Sequence, residues 1–305
     1  MPRALQPQTL QRAITVEGRG LHGNRPCRVT LRPVDQPTGL RFRHTPSGIE
    51  VPARADRVGD LSLATTLVQD GIRFGTIEHL LSALMGLEVE HLLIETDGEE
   101  LPILDGSARP WVEAIQRAGI AQLPGRRRFI KVLRPVEVEA KGKRMRVSPY
   151  DGLRLRYTIA FDLKSIGRQS RELSLDPAKY LRELAPARTF CMEQDITAMR
   201  AMGLAQGGSL ENAVVYAADG PLNDTLRYED EAVRHKMLDL VGDLALVGAP
   251  ILGLVEAEAA GHALHVALVK ALLADPTAWT WAEAGVERPR RPVFAGLSGA
   301  HPIPA

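Results

Sequence analysis

The sequence predicts an α+β fold built from two similar units. The chain has 305 residues, a length that suggests domains of about 150 residues each, and 45% of its residues are hydrophobic, enough for ordinary cores. Segments with strand-like alternation are mixed with segments of helical periodicity. Each half also contains, in the same order, a helix starting near a histidine, a short turn, an apolar strand, a loop and an amphipathic helix. If two such units pack face to face, the equivalent histidines, His79 and His235, converge between them.

Residues 1–125 are predicted to form the first unit. Its expected elements, in chain order, are strands at 9–21, 25–34 and 40–45, a helix from about residue 76, a strand at 90–96 and a helix at 108–119. The Pro-Gly dipeptide and basic run at 122–129 are typical of a linker, so the boundary is placed after residue 125.

Residues 126–282 are predicted to form the second unit. Its expected elements are strands at 128–140, 144–149 and 153–163, a helix at 177–184, a glycine-rich loop and apolar strand at 203–215, a helix around 234–239, a strand at 250–259 and a helix at 262–274. The Pro- and Gly-rich tail at 283–305 is expected to be extended or disordered.

Charge and cysteine content exclude several classes of function. Lys and Arg total 38 against 37 Asp and Glu, so no overall field selects nucleic acid or an anionic membrane. The basic runs at 126–128 and 141–144 lack interleaved aromatics and are interpreted as solvated strand edges. No apolar run is long enough for a signal peptide or a membrane span. Two cysteines are too few for a disulfide framework or a thiolate-rich zinc site, and their scarcity suits the cytoplasm.

Two short motifs could hold a metal ion. His235 and Asp239 stand at i and i+4 of a predicted helix, so both can reach one atom. With Lys236 and Asp243 they form a narrow polar arc, which favours a polar site, although an exposed His/Asp pair is the simpler alternative. In the Glu-His pair at 78–79, one side chain could bind the metal while the other reaches its water. The familiar HExxH zinc helix is absent, so a core or surface histidine remains the alternative here.

Gly261 and His262 follow a predicted strand and open a helix. A general acid is plausible at this position, although an ordinary histidine near a helix cap explains the pattern as well. His265, three residues later, is expected to be a partly exposed helix residue.

Taken together, these residues resemble the zinc-dependent UDP-3-O-acyl-N-acetylglucosamine deacetylases of lipid A biosynthesis. The matching blocks are GRGLHG (18–23), TIEHLLSAL (76–84), ELPILDGSA (100–108), PARTF (186–190), GLAQGGSLENAVV (203–215), LRYEDEAVRHKMLDLVGDLAL (226–246) and GHALH (261–265). They run in the family's order over most of residues 8–275, and the block around residue 235 is the most specific.

The resemblance implies one catalytic zinc ion, held by His79, His235 and Asp239. It also implies that Glu78 is the general base that activates water and that His262 is the acid that protonates the departing amine.

Further roles follow from the resemblance. Asp243 matches a carboxylate that orients the acid, and Thr189 matches a hydroxyl that helps to stabilise the oxyanion. Lys236 matches a residue near the substrate's charged head and suits a diphosphate. The implied fold is two similar α+β domains in a layered sandwich with the active site between them, and a small insert in the second domain forms a passage for the acyl chain.

The chain departs from the family pattern where substrate contacts are expected. After Phe190, Cys191 and Met192 replace a glycine and an aromatic residue. In the expected insert at 161–167, Leu163 and Lys164 replace His-Pro, and the segment 61–67 lacks the usual cysteines. Phe190, Met192 and Leu163 are therefore predicted to contact the substrate and to influence the acyl length.

The predicted function is removal of acetate from the 2-acetamido group of a UDP-linked, 3-O-acylated glucosamine. The protein is expected to act as a cytoplasmic monomer without a nucleic-acid partner. Two alternatives remain open: a zinc deacetylase for another acylated amino sugar, and a paralogue that binds nucleotide sugars without turnover.

Overall fold

The computed structural model of the protein describes residues 4–285. The predicted tail lies outside the described residues from 286 onward, and its first residue, Glu283, ends a strand. Whether the chain divides into domains after residue 125 stays a prediction.

The described part of the chain contains twenty strands, six α-helices and three short 3-10 helices. The strands before residue 125 are β1 (Gln8–Leu10), β2 (Ile14–Arg19), β3 (Pro26–Arg32), β4 (Leu40–His44), β5 (Glu50–Pro52), β6 (Val58–Asp60), β7 (Thr66–Gln69), β8 (Ile72–Phe74), β9 (Leu92–Thr96) and β10 (Ile120–Gln122). Those after it are β11 (Arg128–Val132), β12 (Val136–Ala140), β13 (Lys143–Ser148), β14 (Leu153–Ala160), β15 (Arg168–Ser174), β16 (Phe190–Met192), β17 (Val214–Ala217), β18 (Gly220–Pro221), β19 (Ile251–Glu258) and β20 (Trp279–Glu283). The helices are α1 (Glu78–Gly86), α2 (Arg109–Ala118), α3 (Pro177–Glu183), α4 (Ile196–Ala201), α5 (Glu231–Leu244) and α6 (His262–Ala274).

The two main sheets, of five and seven strands, share a pattern of pairing around one strand. In the first sheet the order is β2-β3-β9-β4-β5, and β9 runs antiparallel to β3 and parallel to β4. In the second, β19 is antiparallel to β13 and parallel to β14, while β12 and β15 extend the sheet beyond these neighbours. In each half, the strand shared by these pairings lies between two helices in the chain. Strand β9 follows α1 and precedes α2, and β19 follows α5 and precedes α6. The internal parallel in the sequence therefore corresponds to a repeated arrangement of strands and helices, and the α+β class is confirmed.

Helices α1 and α5 lie in the interior and pack against each other. All residues of α1 except Met85, and all of α5 except Lys236, are buried, as expected of helices covered on every side. The contact requires a glycine, because a Cβ atom on Gly242 would lie 2.1 Å from the carbonyl oxygen of Glu78. This close approach brings the two halves of the predicted metal site together.

The structure corrects several details of the sequence interpretation. Helix α1 begins at Glu78 rather than Thr76, since Thr76 has a φ of +54°, which a right-handed helix cannot include. The strands predicted at 9–21 and 128–140 are each interrupted and form two strands. The prediction that Arg127 lies on a solvated strand edge is wrong, because its side chain is buried and pairs with Glu88 and Glu90.

The other basic run, at 141–144, forms the exposed tip of the hairpin between β12 and β13. Among residues 4–285, none of the helices has the length and apolar character that a bilayer crossing requires.

Candidate metal and acid–base site

Three predicted metal ligands meet where α1 contacts α5. The Nε2 atoms of His235 and His79 lie 3.2 and 3.7 Å from Oδ1 of Asp239, and all three side chains are buried. The two imidazole rings are perpendicular, with centroids 5.0 Å apart. Nδ1 of His235 is 3.0 Å from the carbonyl oxygen of Ala187, which can only accept, so this nitrogen carries the proton. Nε2 is therefore the nitrogen of His235 that is available to a metal ion in the site.

The chemistry of this donor set suits a divalent metal ion. Oδ1 of Asp239 is buried and has no hydrogen-bond partner within residues 4–285, which is unfavourable unless a cation is near. Burial, and then the neighbouring His235, lower the pKa of His79 to about 3, so its imidazole is neutral as metal binding requires. Burial alone would raise the pKa of Asp239, but His235 and Lys236 hold it well below its ordinary value. Two histidines and one carboxylate are a ligand set used by catalytic zinc sites.

Lys236 is tied to the same carboxylate. Its Nζ lies 2.6 Å from Oδ2 of Asp239, and a fifth of the side chain is exposed. Burial would lower the pKa of Lys236, but the negative charge of Asp239 raises it, so the amine stays protonated. The sequence predicted Lys236 near the charged head of a substrate, and it missed this ion pair.

Glu78 lies beside the three ligands at the start of α1. The backbone N–H of Thr65 donates to its Oε2 at 3.1 Å, while Oε1 is 3.8 Å from Nε2 of His262. Burial, and then the negative charges of Asp243 and Asp239, raise the pKa of Glu78 to about 7, although His262 opposes this shift. A carboxyl group with such a pKa can accept and release a proton near neutral pH.

His262 is the first residue of α6 and faces Glu78 across the site. Its Nδ1 donates to Oδ2 of Asp243 at 2.8 Å, which leaves Nε2 directed towards Glu78 and 4.0 Å from Oδ2 of Asp239. Burial would lower the pKa of His262, but the charge and hydrogen bond of Asp243 and the charge of Glu78 raise it to about 9. The imidazole is therefore a cation over most of the physiological range.

Two residues of this cluster were not anticipated. Oγ1 of Thr65 donates to Oδ1 of Asp243 at 2.6 Å, and no pattern in the sequence marked this hydroxyl. The expectation that His265 is partly exposed is wrong, since it is fully buried, with Nδ1 2.8 Å from Oδ2 of Asp243. Residues at i and i+3 share one face of a helix, so the spacing of His262 and His265 was a signal that could have revealed the shared partner.

A cavity of about 730 Å³ opens over these groups. One end is polar and contains the predicted metal ligands together with Glu78 and His262. Most of the remaining lining is apolar and comes largely from β16, α4, β17 and the loops around them: Leu21, Leu61, Leu63, Phe190, Cys191, Ile196, Met199, Leu210, Ala213, Val215 and Leu222. Cationic side chains also line it, namely Lys141, Lys143, Arg200 and Lys236.

The predicted substrate contacts are distributed unevenly around this cavity. Thr189 and Phe190 line it, and the ring of Phe190 packs against Tyr216 and Phe161. Met192 and Leu163 are not among the lining residues, and both pack against the hydrophobic core. The expected insert at 161–167 is the turn between β14 and β15, whereas the excursion from β16 through α4 to β17 supplies much of the apolar wall.

Two carboxylates elsewhere in the sequence hold this geometry in place through hydrogen bonds. The carboxylate of Glu100 accepts the backbone N–H groups of His22 and Gly23 at 2.7 and 2.8 Å and the Thr76 hydroxyl at 3.2 Å. Glu231, at the start of α5, accepts the backbone and side-chain N–H groups of Arg188 at 3.0 and 2.9 Å. These bonds fix the segments next to Glu78 and Thr189.

Gly106 supports the same region. Its φ is +79°, and an added Cβ atom would lie 1.9 Å from the carbonyl oxygen of Asn212. Its own carbonyl accepts the N–H of Thr189 at 2.8 Å. Only glycine fits here, and the backbone of Thr189 is positioned as a result.

Comparison with known proteins gives a family match and several similar relatives. The model of the family described as UDP-3-O-acyl N-acetylglycosamine deacetylase matches residues 7–274. Curated proteins named UDP-3-O-acyl-N-acetylglucosamine deacetylase are similar to the chain. The protein from Anaeromyxobacter dehalogenans (strain 2CP-C) is 44% identical over 272 residues, covering 89% of this chain and 88% of the relative. The one from Solibacter usitatus (strain Ellin6076) is 45% identical over 271 residues, covering 88% and 92%. A third, from Anaeromyxobacter sp. (strain Fw109-5), is 42% identical over 298 residues, covering 96% and 98%.

Proposed function

The chain belongs to the family of UDP-3-O-acyl N-acetylglycosamine deacetylases, and on that premise we propose how its residues carry out the reaction. It is a deacetylase of lipid A biosynthesis, an enzyme that hydrolyses the 2-acetamido group of UDP-3-O-acyl-N-acetylglucosamine to acetate and a free amine. The observation that most supports the proposed mechanism is the meeting of His79, His235 and Asp239 beside Glu78 and His262 at the polar end of the cavity.

We propose that His79, His235 and Asp239 hold one zinc ion. The buried Oδ1 of Asp239 without a hydrogen bond and the neutral state of His79 support this assignment. When bound, zinc supplies Lewis acidity that polarises the acetamide carbonyl and makes water more acidic. Lys236 neutralises the second oxygen of Asp239 and so keeps this carboxylate oriented.

Glu78 is the proposed general base. The Thr65 N–H fixes Oε2, which leaves Oε1 on the side of the carboxylate facing His262. Oε1 takes a proton from the water that attacks the acetamide carbonyl, and the raised pKa of Glu78 makes this carboxylate a stronger base than an exposed one.

His262 is the proposed general acid. Asp243 holds Nδ1, so the proton that His262 transfers to the departing amine nitrogen is the one on Nε2. Its raised pKa keeps that proton in place until the C–N bond breaks. We propose that the Thr189 hydroxyl, on the wall of the same cavity, donates to the oxyanion, a contribution worth about 3 kcal/mol for one well-placed donor.

The cavity also accommodates the remaining parts of the substrate. Its apolar part reaches solvent, because Leu63, Leu210 and Leu222 are 53%, 48% and 46% exposed. Exposed apolar side chains along one wall suit a 3-O-acyl chain that extends outwards, with Phe190 at its inner end. The cationic groups Lys236, Lys141 and Lys143 suit the diphosphate as point charges.

Acetate release from the purified protein tests this function. Turnover is expected on UDP-3-O-acyl-N-acetylglucosamine and is expected to fall sharply when the 3-O-acyl chain is removed. Equal turnover on both would favour the alternative, a deacetylase of another amino sugar. Binding without acetate release would favour a non-catalytic paralogue. The proposed location is the cytoplasm and the proposed state a monomer, which cell fractionation and gel filtration test.

A further inference from the structure

A buried group of polar side chains lies behind His262, away from the cavity. Oδ2 of Asp243 is 2.8 Å from Nδ1 of His262 and equally 2.8 Å from Nδ1 of His265. Nε2 of His265 is 3.0 Å from the hydroxyl of Tyr157, which also lies 2.9 Å from the carbonyl oxygen of Ala260. His265 and Tyr157 are completely buried, and the mechanism above uses neither of them.

The proton positions in this group follow from its acceptors. A carboxylate oxygen only accepts, so both Nδ1 atoms that face Asp243 carry a hydrogen. Burial lowers the pKa of His265, so its ring is neutral and Nε2 has a lone pair. The single hydroxyl hydrogen of Tyr157 therefore lies between two acceptors, Nε2 of His265 and the oxygen of Ala260. The tautomer of His265 is thus the one that donates to Asp243.

The hydrogen bond from His265 restrains the χ2 torsion of Asp243, which the aspartate side chain does not fix by itself. The χ2 angle of an Asp side chain has a broad minimum, so the carboxylate can turn unless both oxygens are held. Thr65 donates to Oδ1, and His265 is the donor on Oδ2 other than His262 itself. Without His265, the donor left on Oδ2 is His262, the side chain that has to be positioned, so the carboxylate and Nε2 of His262 can turn together.

We propose that His265, oriented by Tyr157, is a positioning residue for the acid: it clamps Asp243 so that His262 points its Nε2 at the departing amine. The inference rests on the proposed role of His262. His265 does not line the cavity; its hydrogen bond on the side of the acid is made to Asp243, and its ring packs edge-on against that of His262, with centroids 5.8 Å apart.

Two polar variants of His265 separate this role from a structural one. In His265→Asn the amide nitrogen can occupy the place of Nδ1 and donate to Asp243, whereas in His265→Gln the amide reaches towards Tyr157 instead. Both keep a buried amide at the same site, so each is the matched control for the other. His265→Leu removes both contacts while keeping an apolar volume.

The test measures kcat, KM, zinc content and thermal unfolding of the metal-loaded full chain on UDP-3-O-acyl-N-acetylglucosamine. We expect His265→Leu and His265→Gln to lower kcat about 10-fold, the lower end of the range for partners that orient a functional side chain. KM and zinc content should stay at the wild-type values, and His265→Asn should recover most of kcat.

The proposal is overturned if His265→Gln and His265→Asn have the same kcat, or if kcat changes only in step with the fraction of folded protein. His262→Ala serves as the reference and should lose at least about 100-fold in kcat. If His262→Ala lost no turnover, the acid assignment itself would be wrong and this inference would fall with it. A wild-type kcat in His265→Gln beside an inactive His262→Ala would refute the positioning role alone.

Discussion

Replacing Gly242 by alanine should separate the two halves of the metal site. The new Cβ atom would lie 2.1 Å from the carbonyl oxygen of Glu78, whereas an ordinary contact begins at 3.4 Å, so α5 must move away from α1 by about 1.3 Å. His235 and Asp239 would move with α5 while Glu78 and His79 stay on α1. A misplacement of this size typically costs about 100-fold in activity.

The stability change should be smaller than the loss of function. Overpacking costs about 1–3 kcal/mol, while alanine gains about 1 kcal/mol over glycine inside a helix. We therefore expect Gly242→Ala to remain folded, with a modest fall in thermal stability and a large fall in zinc affinity and kcat/KM. Zinc affinity is measured by competition with a chelator and kcat/KM by acetate release.

Gly23→Ala is the matched control for this substitution. Its added Cβ atom meets its nearest neighbour, Oε2 of Glu100, at 3.4 Å, an ordinary van der Waals distance. The reasoning about the contact of α1 with α5 would be refuted if Gly242→Ala bound zinc and turned over substrate as well as Gly23→Ala.

Three further predictions concern the chemistry and the acyl chain. Glu78→Gln should keep its metal, since Glu78 is not among the proposed ligands, and lose about 10²–10⁴-fold in kcat, as single-turnover acetate release would reveal. The pH profile of kcat/KM should be bell-shaped. Activity falls as pH drops through about 7, because Glu78 becomes protonated, and as pH rises through about 9, because His262 loses its proton. Bound zinc adds positive charge, so both limbs should lie at or below these values, and a profile without an acidic limb would argue against Glu78 as the base. Because Cys191 lines the cavity, Cys191→Phe should shorten the longest 3-O-acyl chain that the enzyme accepts. Met192 packs on the core instead, and Met192→Phe tests whether this residue also affects the accepted chain length.

Sequence patterns predicted the long elements because burial and periodicity coincide in them. The apolar run of α6 and the alternation of β14 leave little choice of structure, and their observed bounds are close to the predicted ones. Strands of three residues, such as β5 and β8, contain too few residues for a period and were missed. Each pairs with the strand just before it in the chain, β5 with β4 and β8 with β7, so its existence depends on a cross-strand partner rather than on a pattern within its own residues.

The candidate site was predictable where one element carries two of its groups. His235 and Asp239 are one helical turn apart, so their common target could be expected from spacing alone, while the family resemblance added the ligand from α1. Thr65 was not predictable, because its role depends on meeting Asp243 across 178 positions of sequence. The burial of His265 was also missed, because a histidine in the sequence does not show whether a buried carboxylate is available as its hydrogen-bond partner.

The dependence of acetate release on added zinc tests the proposed mechanism most directly. Protein stripped of metal is titrated with zinc in the presence of UDP-3-O-acyl-N-acetylglucosamine. We expect no release without metal, a rise that breaks at one ion per chain, and no recovery in the double variant His79→Ala plus His235→Ala. Acetate release that persists in the stripped protein, or a double variant that still regains activity at one equivalent of zinc, would contradict the assignment of the metal site to these residues.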